Sequence, residues 1–234
     1  MGKQNSDIRL VVFDLGRVLV RICDGWQHAC RVAGVPVVRE ELDADAQARL
    51  HALVCRAEVG GLDIDGFGRE AAAVLGLTPV QFRALSDAYL LGAFEGAVEI
   101  VEELAAAGMP TACLTNTNDN HWRLMNDPAA LGYFPLDRLT HRFASHLVRL
   151  RKPDDAIYAH VEQATATPAE AILFFDDVEE NVAAARNRGW RVRWIDPALN
   201  DPVPQIRAAL KEHGVLANHS SNQSASAVSR DRAD

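Results

Sequence analysis

Five side chains of this 234-residue chain carry groups that one reaction could use together: the carboxylates of Asp14, Asp176 and Asp177, the hydroxyl of Thr115 and the ammonium of Lys152. Asp14 ends the apolar run in LVVFDLGRVLV, Thr115 follows TACL, the acidic pair follows ILFF, and Lys152 stands in RLRKPDDAIY just ahead of a helical pattern. Two or three carboxylate oxygens with a backbone carbonyl suit magnesium, a hard cation that keeps waters and shares a phosphate oxygen. A carboxylate attacking phosphorus needs such neutralisation, while Lys152, the Thr115 hydroxyl and loop amides can hold the remaining phosphate oxygens. A covalent aspartyl phosphate is the intermediate this set implies. Singly, the residues have plainer readings. Asp14 and Thr115 can terminate strands by satisfying turn amides, Asp177 can cap the helix of VEENVAAARNRG, Asp176 can be a turn acid, and Lys152 can be solvated. Their shared position at strand ends is what favours the joint reading.

Apolar runs of strand length occur at Leu10 to Phe13, Thr111 to Leu114, Ile172 to Phe175 and Val192 to Ile195, with a weaker one at His141 to Ala144. They read as strands buried on both faces. Helical patterns lie between them: AVEIVEELAAAG and VEENVAAARNRG each close on glycine, DAIYAHVEQA runs into a Thr and Pro stretch, and a last helix covers Pro202 to His213. Alternation of this kind predicts an α/β fold, a doubly wound, mainly parallel, Rossmann-like sheet. Such sheets bind ligands at the carboxyl ends of their strands, where Asp14, Thr115 and the acidic pair all stand.

One interval breaks the alternation. From Val20 to about Phe94 no strong strand signal appears, while helical spacing recurs in GWQHACRVAG, ELDADAQARLHALVCRAEVGG, DIDGFGREAAAVLG and TPVQFRALSDAYLLG. The expectation is an all-helical cap inserted after the first strand, over 21–94, with the catalytic core in 1–20 and 95–213. The insertion point places the cap over the ligand edge as a lid. Residues 214–234 are polar and without period, and read as a flexible tail.

Composition narrows the function further. With 32 acidic against 24 basic side chains the formal charge is −8, so no basic face is available to follow a nucleic acid backbone. The four cysteines form no CxxC pair and the eight histidines no HExxH, which leaves zinc sites and disulfide frames without support. The polar opening MGKQNSD and the lack of a long apolar run predict a cytoplasmic protein with no membrane partner; the set of Asp14, Thr115, Lys152 and Asp177 points to a small phosphorylated substrate, and a monomer or a homodimer is expected.

The segments VVFDLGRVLV, CLTNTN, RKPDDAIY and LFFDDVEENVAAARNRGW, in that order, resemble the four signature motifs of the haloacid dehalogenase superfamily. The resemblance spans roughly Arg9 to Leu210 and implies magnesium-dependent phosphatase chemistry beneath a helical cap. Within the superfamily, the glycine at position 16 together with LTNTN and FFDD is similar to the sugar-phosphate phosphatases that include alpha-D-glucose-1-phosphate phosphatase. By this match Asp14 is the nucleophile and a metal ligand, Gly16 offers its carbonyl to the metal, and Thr115 and Lys152 bind the transferring phosphoryl group. Asp177 is the direct ligand of the acidic pair, Asp176 ligates through water or holds Lys152, and Asn116 contacts the substrate phosphate.

Three positions depart from the family pattern. Most of its phosphatases carry a second aspartate two residues after the nucleophile, as general acid and base, and here that residue is Gly16. Losing such a group typically forfeits on the order of 10² to 10⁴ in rate. Either the leaving group departs easily, as from an anomeric or acyl phosphate, or the reaction expels halide as in a 2-haloacid dehalogenase, or the protein binds phosphorylated ligands without turnover. Arg17 and Arg149 stand where small or amide residues and glycine are usual. They can read a second anionic group, obstruct the pocket, or face solvent. In the cap, Trp26, Glu58 and Gly60 are further candidates for substrate contact.

Overall fold

The computed structural model describes residues 7–216. Five strands make the central sheet: β1 (Leu10–Phe13), β4 (Thr111–Thr115), β5 (His141–Ala144), β6 (Ile172–Asp176) and β7 (Arg191–Trp194). Between β1 and β4 lie β2 (Val20–Ile22), α1 (Trp26–Ala33), α2 (Ala44–Glu58), α3 (Ile64–Leu75), α4 (Pro79–Asp87), β3 (Leu90–Ala93) and α5 (Ala97–Ala106). The remaining helices are α6 (Asp119–Asn126), α7 (Ser145–Val148), α8 (Asp155–Thr165), α9 (Glu179–Asn187) and α10 (Pro202–Glu212).

The sheet has the order β5-β4-β1-β6-β7 and is parallel throughout, as the alternation predicts. β1, β4 and β6 are buried along their whole length, which is why they read as unbroken apolar runs rather than alternating ones. One apolar layer packs Phe13, Leu173 and Phe175 against α5 and α10. The other packs Leu10, Val12 and Phe174 against Ile157, Tyr158 and Val161 of α8 and Ala185 of α9. The sheet is therefore covered on both faces, and its strand ends are left as the one edge where polar groups can gather.

The helices α1 to α4 form their own apolar cluster, which includes Leu53, Phe67, Leu75, Phe82 and Leu85. Local signals fix their starts. Asp43 and Asp63 accept amide hydrogens at the heads of α2 and α3, and Thr78 with Gln81 makes a capping box ahead of α4. The interval is not wholly helical, contrary to the sequence expectation. β2 and β3 pair antiparallel, Val20 with Ala93 and Ile22 with Leu90, and form a ribbon at the base of the helices. Strands of three and four residues, one of them holding Gly92, carry too short a pattern to register beside strong helical periods.

Two further boundaries differ from the sequence reading. β7 starts at Arg191 and stops at Trp194, one residue earlier at each end than the apolar run suggests. Val215 and Leu216 pack against the main apolar layer, and both their amides reach the Leu210 carbonyl, so ordered chain continues past residue 213. The rest of the expected tail, 217–234, lies outside the described residues. Among the described residues no helix is long and apolar enough to cross a membrane.

Candidate active site

Register brings the acidic residues together. β1 and β6 pair residue by residue up to Phe13 and Phe175, and the Asp14 amide donates to the Phe175 carbonyl at 2.8 Å. Asp14 and Asp176 thus emerge from adjacent strand ends, with Asp177 on the turn that follows. Carboxylate oxygens of all three lie within 4.8 Å of one another. On the other side β4 ends in Thr115, a buried residue two positions past the Phe13 to Cys113 pairing.

Lys152 closes the cluster. Its side chain is 1% exposed, with Nζ 2.8 Å from Asp14 Oδ1 and 2.7 Å from Asp176 Oδ2. Burial pushes the ammonium toward neutrality, but the charges of Asp14 and Asp176 outweigh it and hold the lysine pKa above its ordinary value. Asn116 fixes the loop that delivers it. The Asn116 amide donates to the Lys152 carbonyl and its Oδ1 accepts from the Lys152 amide, both at 2.9 Å. Asn116 is therefore a clamp on the lysine backbone, which its place in CLTNTN does not announce.

The acidic pair divides its labour. Asp176 Oδ1 accepts from the Val178 amide, Oδ2 accepts from Lys152, and both oxygens accept from Asn181 Nδ2 at 3.1 Å. Its lone pairs are spent on the protein. The Asp177 carboxylate lies 4.0 Å from the Arg17 guanidinium and faces the cluster. Asp177 is not the helix cap that the sequence alone allowed. Val178 holds that position, and Asp176 satisfies its amide. Asn181, buried on the first turn of α9, is a functional candidate the sequence reading passed over; its signal is an amide five residues after the strand-end acid.

Asp14 is the electrostatic outlier. Burial raises its pKa to about 7, Lys152 opposes the shift, and the neighbouring Asp176 and Asp177 add to it. Burial and Asp176 likewise raise Asp177. Asp14 Oδ1 is buried and meets the Lys152 ammonium at 2.8 Å. Three crowded carboxylates facing one ammonium are a fitting site for a divalent ion. The all-oxygen donor set suits magnesium in particular.

The departures from the family pattern have structural explanations. Arg17 and Arg149 both adopt left-handed backbone, with φ of 56° and 59°. Glycine or an amide residue is usual at such positions because they bear that conformation at least cost. The Arg17 side chain lies at the rim, between Asp24 at 3.4 Å and Asp177. Arg149 is exposed. A Cβ built on Gly16 meets Ile22 Cδ1 at 3.3 Å, so an apolar side chain of β2 covers the place where a second acid would project.

Above the rim, between the helices α2 to α4 and the loop after β4, is a cavity of about 330 Å³. Trp26 and Glu58 line it, as do Ile22 and Asn116. Glu58 also accepts Arg151 Nε and Nη2, at 3.1 and 2.9 Å, and ties the helices to the loop of Lys152. Gly60 does something else: a Cβ there would come 2.6 Å from the His146 carbonyl, so it is a close backbone contact between helical insert and core.

Residues 8–189 match the haloacid dehalogenase-like hydrolase family. Among curated proteins, (S)-2-haloacid dehalogenase H-109 of Pseudomonas putida is 26% identical over 115 residues, 49% of this chain and 50% of that protein. The chain spans about half the length of the curated relatives it matches. Among solved structures, a HAD-like family hydrolase from Porphyromonas gingivalis superposes with a TM-score of 0.71 at 24% identity, covering 88% of this chain and 99% of that one. A HAD family enzyme from Bacteroides thetaiotaomicron, in complex with magnesium and inorganic phosphate, superposes with a TM-score of 0.65 at 18% identity, covering 80% and 93%.

Proposed function

The chain belongs to the haloacid dehalogenase-like hydrolases, and from that premise we propose that it is a magnesium-dependent phosphatase of a small phosphorylated metabolite. The observation that carries the reading is the cluster of Asp14, Asp176 and Asp177 around Lys152. Attack by an Asp14 oxygen on phosphorus forms an aspartyl phosphate as the bond to the leaving oxygen breaks, and water then hydrolyses the acyl phosphate. Lys152 holds the Asp14 carboxylate in place and offers its remaining donor capacity to phosphate oxygens, with the Thr115 hydroxyl alongside. Magnesium, when bound, supplies the positive charge that lets an anionic nucleophile meet an anionic phosphate. Asp14, Asp177 and the Gly16 carbonyl are the groups that would hold it, while Asp176, saturated by Lys152 and Asn181, acts through the lysine.

A second reading has its own support. Gly16 provides no proton for a leaving oxygen, and halide needs none, which agrees with the half-length likeness to 2-haloacid dehalogenases. The intact acidic pair favours the phosphatase. To decide, phosphate release from acetyl phosphate and p-nitrophenyl phosphate is followed with magnesium and with chelator, and halide release from 2-chloropropionate without metal. The phosphatase reading expects turnover of the phosphates that chelation abolishes and Asp14→Asn reduces by roughly 10⁴-fold or more. Metal-independent halide release with no phosphate turnover would replace it with the dehalogenase. Phosphate-ester binding with no turnover at all would leave a ligand-binding protein.

A further inference from the structure

The wall of the cavity beside the rim is largely apolar. Trp26, Leu50, Val54, Phe67, Phe82 and Ile22 are among the apolar side chains of its wall. Several of its polar side chains are already engaged, while the hydroxyls of Tyr89 and Thr117 also line it. Glu58 holds Arg151, and Asn116 clamps the Lys152 backbone. His121 Nε2 lies 3.1 Å from the Ser86 carbonyl, and its Nδ1 lies 3.4 Å from Asn118 Nδ2. Burial pulls that imidazole down to about 4, so at neutral pH it has one N–H to give and one lone pair to offer, and both have partners. The Ser86 hydroxyl accepts from Asn120.

A sugar entering this space exchanges hydrogen bonds to water for contact with hydrocarbon, and each hydroxyl left without a partner weakens binding. A flat apolar body gains in proportion to the area it withdraws from water. Ile22 carries the apolar wall down to the reacting centre, since it lines the cavity and lies against the position of Gly16.

We propose that the substrate class is an aryl phosphate, its phosphoryl group at the Asp14 rim and its aromatic body in the cavity; this rests on the reading of the rim as a phosphoryl-transfer centre. Wall and chemistry then agree. The Asp14 oxygen to phosphorus bond forms, the phosphorus to aryl-oxygen bond breaks, and the electron pair leaves as a ring-stabilised aryloxide that takes its proton from water. Such a leaving group needs little help from an acid at position 16. A second water cleaves the acyl phosphate to inorganic phosphate and restores the Asp14 carboxylate.

The test is calorimetric titration of the full chain, in magnesium chloride, with phenylphosphonate and with methylphosphonate, neither of which can be hydrolysed. Phenylphosphonate is expected to bind roughly 10 to 100 times more tightly, and Leu50→Gln, which puts an amide into the wall, is expected to remove most of that advantage. Equal affinity for the two overturns the aryl assignment and leaves the rim reading standing. Binding of neither overturns both. Should Leu50→Gln fail to fold, the wild-type ratio of kcat/KM for phenyl phosphate to that for glucose 1-phosphate takes its place: a ratio above about ten is expected, and a ratio below one contradicts the proposal.

Discussion

The strand rim and the cavity wall above it are held in opposite ways. At the rim, Lys152 meets two carboxylates within 2.8 Å, Asn181 gives its amide to Asp176, and Asn116 clamps the lysine loop from both sides. Order there comes from charge and hydrogen bonds fixed by strand register. In the cavity wall order comes from packing, an edge-to-face pair of Phe67 and Phe82 with ring centres 5.2 Å apart being one example. Polar groups of the wall such as Glu58 and Asn116 tie it to the loop of Lys152. The contrast separates two tasks under the proposed function, chemistry at the rim and choice of the substrate's body in the wall above.

Perturbing each region tests that contrast. The largest effect belongs to the rim. Lys152→Met leaves the carboxylates of Asp14 and Asp176 buried without their cation, and is expected to cost about 3–5 kcal/mol of stability. Denaturant titration measures it, and a loss below about 1 kcal/mol would mean that the lysine contributes little to holding the rim together. Next comes the wall. Phe82→Ala removes a buried ring from the helical cluster and is expected to cost about 3–4 kcal/mol. Hydrogen exchange should show the lost protection concentrated in α1 to α4, with the sheet amides little changed. Exchange rising equally in β1 and β6 would show that the two regions are not separable.

A smaller effect concerns acid. His121 titrates near 4 when folded, because burial disfavours its charged form, against 6.5 when free. Between those values the unfolded chain binds a proton that the native chain refuses, so stability declines as pH is lowered from 6.5 toward 4 and is unaffected by this group above 6.5. Comparing Tm at pH 7 and pH 4.5 for the wild type and His121→Gln should give the smaller drop in the variant. The smallest effect is at Arg149, exposed and left-handed at φ 59°. Arg149→Gly relieves the backbone while loosening the unfolded chain, and a net change of less than about 1 kcal/mol is expected with catalysis unaltered. A marked loss of phosphate turnover in that variant would place Arg149 in the site after all.

How much of this could be read from sequence follows the same divide. Asp14, Thr115 and Asp176 were legible as neighbours because they stand at the ends of fully buried strands, where unbroken apolar runs make the strand and its terminus visible. The roles within the acidic pair were only half legible. Which of Asp176 and Asp177 is occupied by protein donors depends on where Asn181 and the Val178 amide lie in space. The cavity was not legible. Leu50, Val54 and Phe82 sit at helical spacing that looks the same whether a side chain fills a core or lines a void, and Ile22 belongs to a ribbon strand too short to show a period. Arg17 and Arg149 were noticed for their bulk, although what their positions demand is a backbone angle.

The central claim is that Asp14, poised between Lys152 and the acidic pair, becomes covalently phosphorylated during turnover. Rapid acid quench of the protein with acetyl phosphate and magnesium, followed by peptide mass mapping, tests it directly. The account predicts a phosphoryl group on the Asp14 peptide, absent with chelator and absent in Asp14→Asn. Phosphate release that persists undiminished in Asp14→Asn, with no label on that peptide, would contradict it.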